Sequence, residues 1–484
     1  MLKVIIILTS IYTSLAQANV SFSHRSLQLA ADHYELNYDI NIEKRTLAAS
    51  GIITVINTSS KDANHIPLRL YRLLKVSKLL DMKGNELAFT QQVLSNEDWP
   101  VLQTNYIEIE LDTPIKPNQF FKFEIKFDGS LRGYSETGMN YVKDNISKDF
   151  SIIRMDALAY PLVTYPNDKV NKKAKFWLNT YDYDVTISVP EELVVANGGK
   201  LLSHHINNHK SVYRYVNKLP AWRMDFAIAN YQLYSKGNYA VFSWESKESS
   251  QKLLEQIVLT FDLYSKWFGP LQKDLGYTFI EVPKNYGAQA DVTAVIQDAQ
   301  GFKELDRVYH EISHQWNVKS LDTHSPRWNE GLATFLEELT LDKFGKSGHL
   351  HVQTEKNLAR LKKLFKDNPL YSKTAFIDYG ENGLNSYTVG MVFFRLLYDL
   401  VGENKFNALI GGFYKDYYAS GATAEQFVQY IKKYADVNLE RFFDEWAYTS
   451  TYSKRLMEFK SYAELYKFYQ STTLNELLTK AAIK

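Results

Sequence analysis

His310-Glu311-Ile312-Ser313-His314-Gln315-Trp316-Asn317, followed by Trp328-Asn329-Glu330-Gly331, is the stretch on which the reading of this chain turns. On a helix, positions i and i+4 lie on one face, so the imidazoles of His310 and His314 can reach one ion. Glu311 projects beside them, within reach of a water at the same place. Glu330, early in the next helix, supplies a third ligand. Three ligands leave one coordination position open, which is what a catalytic zinc needs. With 11 His in 484 residues, an H-E-x-x-H spacing is expected by chance on the order of 0.01–0.02 times in such a chain. Two unrelated surface histidines are therefore the weaker reading.

Outward from this stretch the pattern is mixed. Leu305, Val308 and Ile312 form the core face of the His310 helix, and Ser325-Pro326 opens the next one, Ser as N-cap and Pro at the first helical position. Upstream, Leu254, Ile257, Phe261 and Tyr264 follow helical spacing, and Gly269-Pro270 stops that helix. A strand is expected at Tyr277–Val282. Tyr286-Gly287-Ala288-Gln289-Ala290-Asp291 and the apolar run ending at Ile296 read as one further strand, at a sheet edge. From about residue 352 the chain reads as helical. The catalytic part would end near Phe442-Phe443-Asp444-Glu445-Trp446, leaving 451–484 as a short helical tail.

Before residue 235 the period is two. Tyr34, Leu36, Tyr38, Ile40 and Ile42 alternate, as do Ile107, Ile109 and Leu111. So do Phe121, Phe123, Ile125 and Phe127, and then Tyr181, Tyr183, Val185, Ile187 and Val189. Such runs, separated by Asn, Gly, Ser and Pro clusters, indicate antiparallel β structure. The fold class expected is α+β and multidomain. An N-terminal antiparallel β domain at 19–235 precedes a mixed α/β domain at 236–450 that is mostly helical at its C-terminal end.

Residues 1–18 read as an export signal. Lys3 gives a short positive region, Val4 to Ala16 is mostly apolar, and Ala16-Gln17-Ala18 is a small-x-small cleavage site. The expected location is periplasmic or secreted, with no membrane span after signal removal. The chain has no cysteine, which excludes disulfides, thiol catalysis and thiolate ligands. Any metal must be held by His, Asp or Glu. Net charge is +1 with signs interspersed, and no basic stripe marks a nucleic-acid surface. Oligomeric state is not legible.

The quoted residues resemble the gluzincin metallopeptidases, most closely the aminopeptidase N (membrane alanyl aminopeptidase) family. Trp316-Asn317-Val318-Lys319 is also similar to the glycyl aminopeptidases. The likeness takes in Trp267-Phe268-Gly269-Pro270, the strand at 277–282 and Phe442–Trp446. It implies a thermolysin-like catalytic domain, one zinc ion and a peptide substrate. It puts the zinc ligands on His310, His314 and Glu330, and the general base on Glu311. The oxyanion-stabilising tyrosine falls on Tyr387, which opens Tyr387-Thr388-Val389-Gly390 after a loop at 380–385. A phenol donating to a tetrahedral oxyanion is sound chemistry.

Three departures matter. Fifteen residues lie between His314 and Glu330, fewer than is usual in the family, so the connecting loop is shorter. Glu337 and Glu338, two turns further on, are poorer third ligands. The chain stops after the catalytic domain, so the cleft should be more open. The family's amine-gripping G-A-M-E-N strand is here Gly287-Ala288-Gln289-Ala290-Asp291, with Ala290 at the glutamate position. Side chains alternate along a strand, so Gln289 and Asp291 point away from the side Ala290 faces. The expected activity is zinc-dependent peptide hydrolysis of aminopeptidase type, with substrate binding along Gly287–Ala290. An endopeptidase, or a peptidase for amino-blocked substrates, is the alternative. A catalytically silent peptide-binding module is the rival of another class. Asp156, after Arg154-Met155, is a further candidate to help hold an amine. His204-His205 with His209 reads as a hairpin tip; His324, His349 and His351 show no partner in the sequence.

Overall fold

The computed structural model describes residues 29–471 apart from 96–99, 141, 166–179, 245–246, 273–275, 287, 292, 300–304, 322–326, 346, 374 and 376–382. The 1–18 segment, Gly287, His324 and the Ser325-Pro326 cap fall outside the described residues.

The described part of the N-terminal region is built of strands, with short 3-10 turns at Ser135–Thr137 and Met155–Ala157. A seven-stranded sheet runs in the order Lys200–Asn207, Lys210–Ala221, Tyr181–Pro190, Leu29–Asn41, Thr46–Asn57, Phe120–Ser130, Leu74–Asp81. The period-two residues face inward: Tyr34, Leu36, Tyr38 and Ile40 are all buried, and so are Phe123, Ile125 and Phe127. They share one core with Ile66, Leu68, Leu70, Ile107 and Ile109 of a four-stranded sheet. One pairing departs from the antiparallel expectation. Tyr181–Pro190 lies parallel to Leu29–Asn41. More than a hundred residues of chain lie between these two strands, long enough for the crossover that a parallel pair requires.

The second region is built on a five-stranded mixed sheet. Its order is Gln232–Lys236, Tyr239–Ser243, Tyr277–Val282, Ala294–Asp298, Ala288–Ala290. The apolar run expected to be one edge strand is therefore two. Ala288–Ala290 takes the edge, and Ala294–Asp298 pairs inside it, antiparallel to the edge strand and parallel to Tyr277–Val282. Asp291 makes the turn, its N–H donating to Ala294 O at 2.7 Å.

Helices pack on this sheet. Helix α1 (Lys247–Phe268) buries Leu254, Ile257, Phe261 and Tyr264, the face that its spacing predicts. It ends at Gly269, whose φ of +87° is the left-handed conformation that caps helices. Helix α2 (Leu305–Ser313) packs against α1 and α3 (Arg327–Lys343), and α3 against α5 (Gly383–Val401). Helix α4 (His349–Asp367) lies between α3 and α5 in sequence and packs on both. Helix α5 begins at Gly383, one turn before Tyr387, so residues 383–385 are helical rather than loop. Within 451–471, Tyr452, Leu456, Tyr462, Leu465 and Tyr469 belong to the same core as α1, α3 and α5. Among the described residues, no helix is long and apolar enough to cross a membrane.

Candidate metal centre

Helix α2 is short, and its axis tightens into a 3-10 turn at His314–Trp316. Trp316 is buried and its indole N–H donates to Gly269 O at 2.9 Å, which fixes the turn against the end of α1. Val308 and Ile312 anchor the other face. His310 and His314 are thereby turned towards α3. Glu330 sits in the first turn of α3 and Tyr387 in the second turn of α5, so three helices supply one site.

The Nε2 atoms of His310 and His314 lie 3.4 and 3.7 Å from one atom, Oε2 of Glu330. Ligand atoms of the three residues all lie within 4.8 Å of one another. Four ligands at about 2.0–2.2 Å around a tetrahedral zinc stand about 3.4 Å apart, so the spacing fits. Glu330 Oε2 is buried and has no hydrogen-bond partner among the described residues, as a carboxylate oxygen reserved for a cation would be. The donor set of two imidazoles and a carboxylate is a zinc set.

The outward nitrogens of both rings are occupied. His310 Nδ1 lies 3.1 Å from Glu337 Oε2. His314 Nδ1 lies 2.6 Å from Nδ2 of Asn317; with Nε2 on a metal, the amide is turned so that Oδ1 accepts from Nδ1–H. Each ring is thus oriented with Nε2 towards Glu330, the arrangement that fixes a ligating histidine. Neither role was expected from the sequence. In the sequence Glu337 reads only as a poorer third ligand. Its distance of seven residues from Glu330, two turns along one helix face, was the signal.

The charge balance asks for a cation. Burial alone would lower His310, but Glu330 and Glu337 on either side raise it to about 10. Burial takes His314 down to about 4, against the pull of Glu330. Burial would raise Glu330; the charges of His314 and His310 and a hydrogen bond from Tyr387 overcome it and hold the carboxyl at about 2. Glu311 is pushed up to about 7, first by burial and then by Glu330 and Glu337, with His310 and Arg307 opposing. Three carboxylates thus face two imidazoles. A proton held so firmly by His310 marks a place short of positive charge.

Tyr387 is 41 % exposed, and its ring stacks on His310 with centroids 6.0 Å apart. Burial and the Glu330 charge both raise its pKa, so it stays a proton donor.

On the edge strand, Ala290 packs against the catalytic core and pairs with Val295. Asp291 faces the β region instead, where Trp222 N–H donates to its Oδ1 at 3.4 Å. The alternation argument therefore describes the strand: no carboxylate stands at Ala290, and its acidic neighbour is turned to the other domain. Asp156 is engaged as well, its carboxylate 2.6 Å from Arg223 Nη1. His209 is in the turn of the 200–221 hairpin, with a φ of +59°, and His204 stacks on Tyr213. His349 does have a partner, Glu338 at 2.5 Å; its place at the start of α4, beside α3, could not be read from spacing.

Residues 293–446 match the model of the family described as peptidase family M1 domain. The chain is 20 % identical over 458 residues to aminopeptidase A from Gloydius brevicauda, which covers 86 % of this chain and 46 % of that protein. The chain thus spans about half the length of that curated relative. An M1 zinc metallopeptidase from Deinococcus radiodurans, solved as a variant bound to a Tyr-Ser-Ala substrate, superposes with a TM-score of 0.62 at 15 % identity. It covers 87 % of this chain and 94 % of its own. A two-domain M1 zinc metallopeptidase variant bound to L-arginine gives a TM-score of 0.64 at 15 % identity, over 84 % of this chain and 91 % of its own. The β region followed by the mixed α/β region with its helical end is the fold of these neighbours.

Proposed function

We propose, from the match of residues 293–446 to the peptidase family M1 domain model, that the protein is a zinc-dependent peptidase of aminopeptidase type. The observation that carries the reading is the convergence of His310 Nε2 and His314 Nε2 on a buried Glu330 oxygen that has no hydrogen-bond partner among the described residues. His310, His314 and Glu330 would hold the zinc. When bound, the ion polarises the scissile carbonyl and makes water acidic enough to attack at neutral pH.

The side chains do the rest. Glu311 accepts the proton of the attacking water and passes it to the nitrogen of the leaving amine. Tyr387, whose hydroxyl keeps its proton, donates to the oxyanion that develops on the carbonyl oxygen. Glu337 and Asn317 hold the two imidazoles in place. The peptide main chain pairs with the edge strand Ala288–Ala290, by strand addition.

A second reading is favoured by one observation, the absence of a carboxylate at Ala290. The enzyme would then accept internal bonds or amino-blocked peptides. Metal analysis together with cleavage of a peptide library, free and N-acetylated, tests both. One zinc per chain and cleavage of free peptides supports the first reading. Cleavage of blocked peptides supports the second. A chain that binds zinc and cleaves neither would be a silent peptide-binding module. We also infer export from residues 1–18; N-terminal sequencing of the mature protein would reveal a start at Asn19.

A further inference from the structure

The segment that carries the edge strand is tied to the β region at both ends, and both ties lead into one buried charge network. At the first end, Arg154 Nη1 donates to Tyr286 O at 3.3 Å. The guanidinium also lies 5.7 Å from the Tyr286 ring centroid, and the Tyr286 hydroxyl donates to Lys143 O at 3.2 Å. At the second end, Trp222 N–H donates to Asp291 Oδ1 at 3.4 Å, and Arg223 lies 5.4 Å from the Trp222 ring centroid.

Arg154 is itself gripped by a bidentate pair to Asp144, both bonds 2.8 Å, with the side chains 1 % and 0 % exposed. Arg223 bridges Asp156 at 2.6 Å and Asp225 at 2.8 Å. Asp225 accepts from Met155 N–H and the Tyr160 hydroxyl, both at 2.9 Å. Met155 adjoins Arg154 in the chain, so the two arginines belong to one assembly. A fork held so tightly on one side has little freedom on the other. Its outward donor is a fixed point against which Tyr286 is set.

We propose that this network is the device by which the β region positions the cleft's edge strand, with Arg154 and Asp291 as positioning residues for a peptide main chain laid along Ala288–Ala290. The proposal rests on the peptidase reading for its kinetic consequence but not for its structural one. A three-residue edge strand has one neighbour and few hydrogen bonds of its own. Holding both its flanks keeps it extended before substrate arrives. Strand addition is made in the ground state and the transition state alike, so loosening the strand raises KM and leaves kcat nearly alone.

Two variants approach the network from opposite sides. Arg154→Met paired with Asp144→Asn removes both buried charges together and avoids stranding one. Asp291→Ala removes the acceptor of Trp222 N–H and leaves the buried pair intact. For each full-length, zinc-loaded protein, amide hydrogen exchange is followed in the peptide spanning 286–291, alongside zinc content and steady-state kinetics. Faster exchange confined to that peptide, with one zinc per chain and a KM raised about tenfold at nearly constant kcat, supports the proposal. Arg154→Lys should fall between, because a lysine keeps the charge but not the fork. Unchanged exchange at 286–291 in Asp291→Ala and in the folded double variant would overturn it. So would a loss of kcat at unchanged KM. If the native protein cleaves no peptide, the peptidase reading falls, and the exchange measurement still decides whether the network holds the strand.

Discussion

Glu337 Oε2 lies 3.1 Å from Nδ1 of His310, on the far side of the ring from Glu330. One imidazole therefore spans two carboxylates that stand two turns apart on α3. The ring is held in the plane that points Nε2 at the metal position, and its Nδ1–H is spoken for. Glu337→Gln keeps an acceptor, and Glu337→Ala does not. Zinc affinity should fall on the order of 10- to 100-fold in the alanine variant and less in the glutamine variant. Competition with a chelator checks this. Equal affinities in all three proteins would remove Glu337 from the centre.

In the proposed mechanism Glu311 moves a proton and does not bind the metal. Glu311→Gln should retain one zinc per chain and lose turnover by a factor on the order of 100 or more. Metal analysis and peptide hydrolysis on the same sample give both numbers. Turnover at the native rate would exclude Glu311 as the base.

Tyr387→Phe keeps the ring that stacks on His310 and removes the hydroxyl. If that hydroxyl meets the oxyanion, the contact belongs to the transition state, and kcat should fall by about 100- to 1000-fold with KM little changed. A raised KM at constant kcat would make Tyr387 a binding residue instead.

That His310 and His314 come together was readable because they share a helix face whatever the fold does, and the structure brings Glu330 to the same place. The strand alternation was readable for the same reason, a side-chain period of two. What escaped depends on how elements cross. Glu337 reaches His310 only because α2 lies across α3 at that height. Tyr181–Pro190 pairs in parallel with Leu29–Asn41 because the chain returns from far away, which no local pattern records. Residues 286–296 read as one strand because the apolar run continues past a turn made at Asp291. The place of 451–471 in the helical core leaves no mark on their own periodicity, because partners such as Phe365 against Tyr452 come from other elements.

That terminal segment is fastened by Glu445. Its Oε1 and Oε2 each accept from Arg455 at 2.8 Å, Arg441 Nε donates to Oε1 at 3.1 Å, and Tyr469 donates to Oε2 at 2.7 Å. Burial would raise this carboxyl, but the arginines and Tyr469 hold it at about 2 against an ordinary value of 4.5. A carboxyl lowered on folding stabilises the native state above its unfolded value, and that contribution disappears as pH falls from 4.5 towards 2. Glu445→Gln should cost on the order of 2 kcal/mol at neutral pH and flatten the stability curve between those limits. Denaturant melts at several pH values check it. Parallel pH curves for the two proteins would show that Glu445 is not the acid-sensitive fastening.

The most discriminating prediction concerns Ala290. A bound ammonium taken out of water needs a fixed carboxylate beside it. The edge strand presents only a methyl group on the side that packs towards the catalytic core, and Asp291 is turned to Trp222. Selection for a free amino terminus should therefore be weak, and an N-acetylated peptide should be cleaved within about tenfold of its free twin, a gap of about 1.4 kcal/mol. Ala290→Glu places a carboxylate on that face. It should sharpen the preference for the free amine, mostly through KM, with zinc content unchanged. The check is the ratio of kcat/KM for the two peptides in both proteins. Strict dependence on the free amine in the native protein, unmoved by Ala290→Glu, would contradict this account, because some other acid would then be gripping the amine.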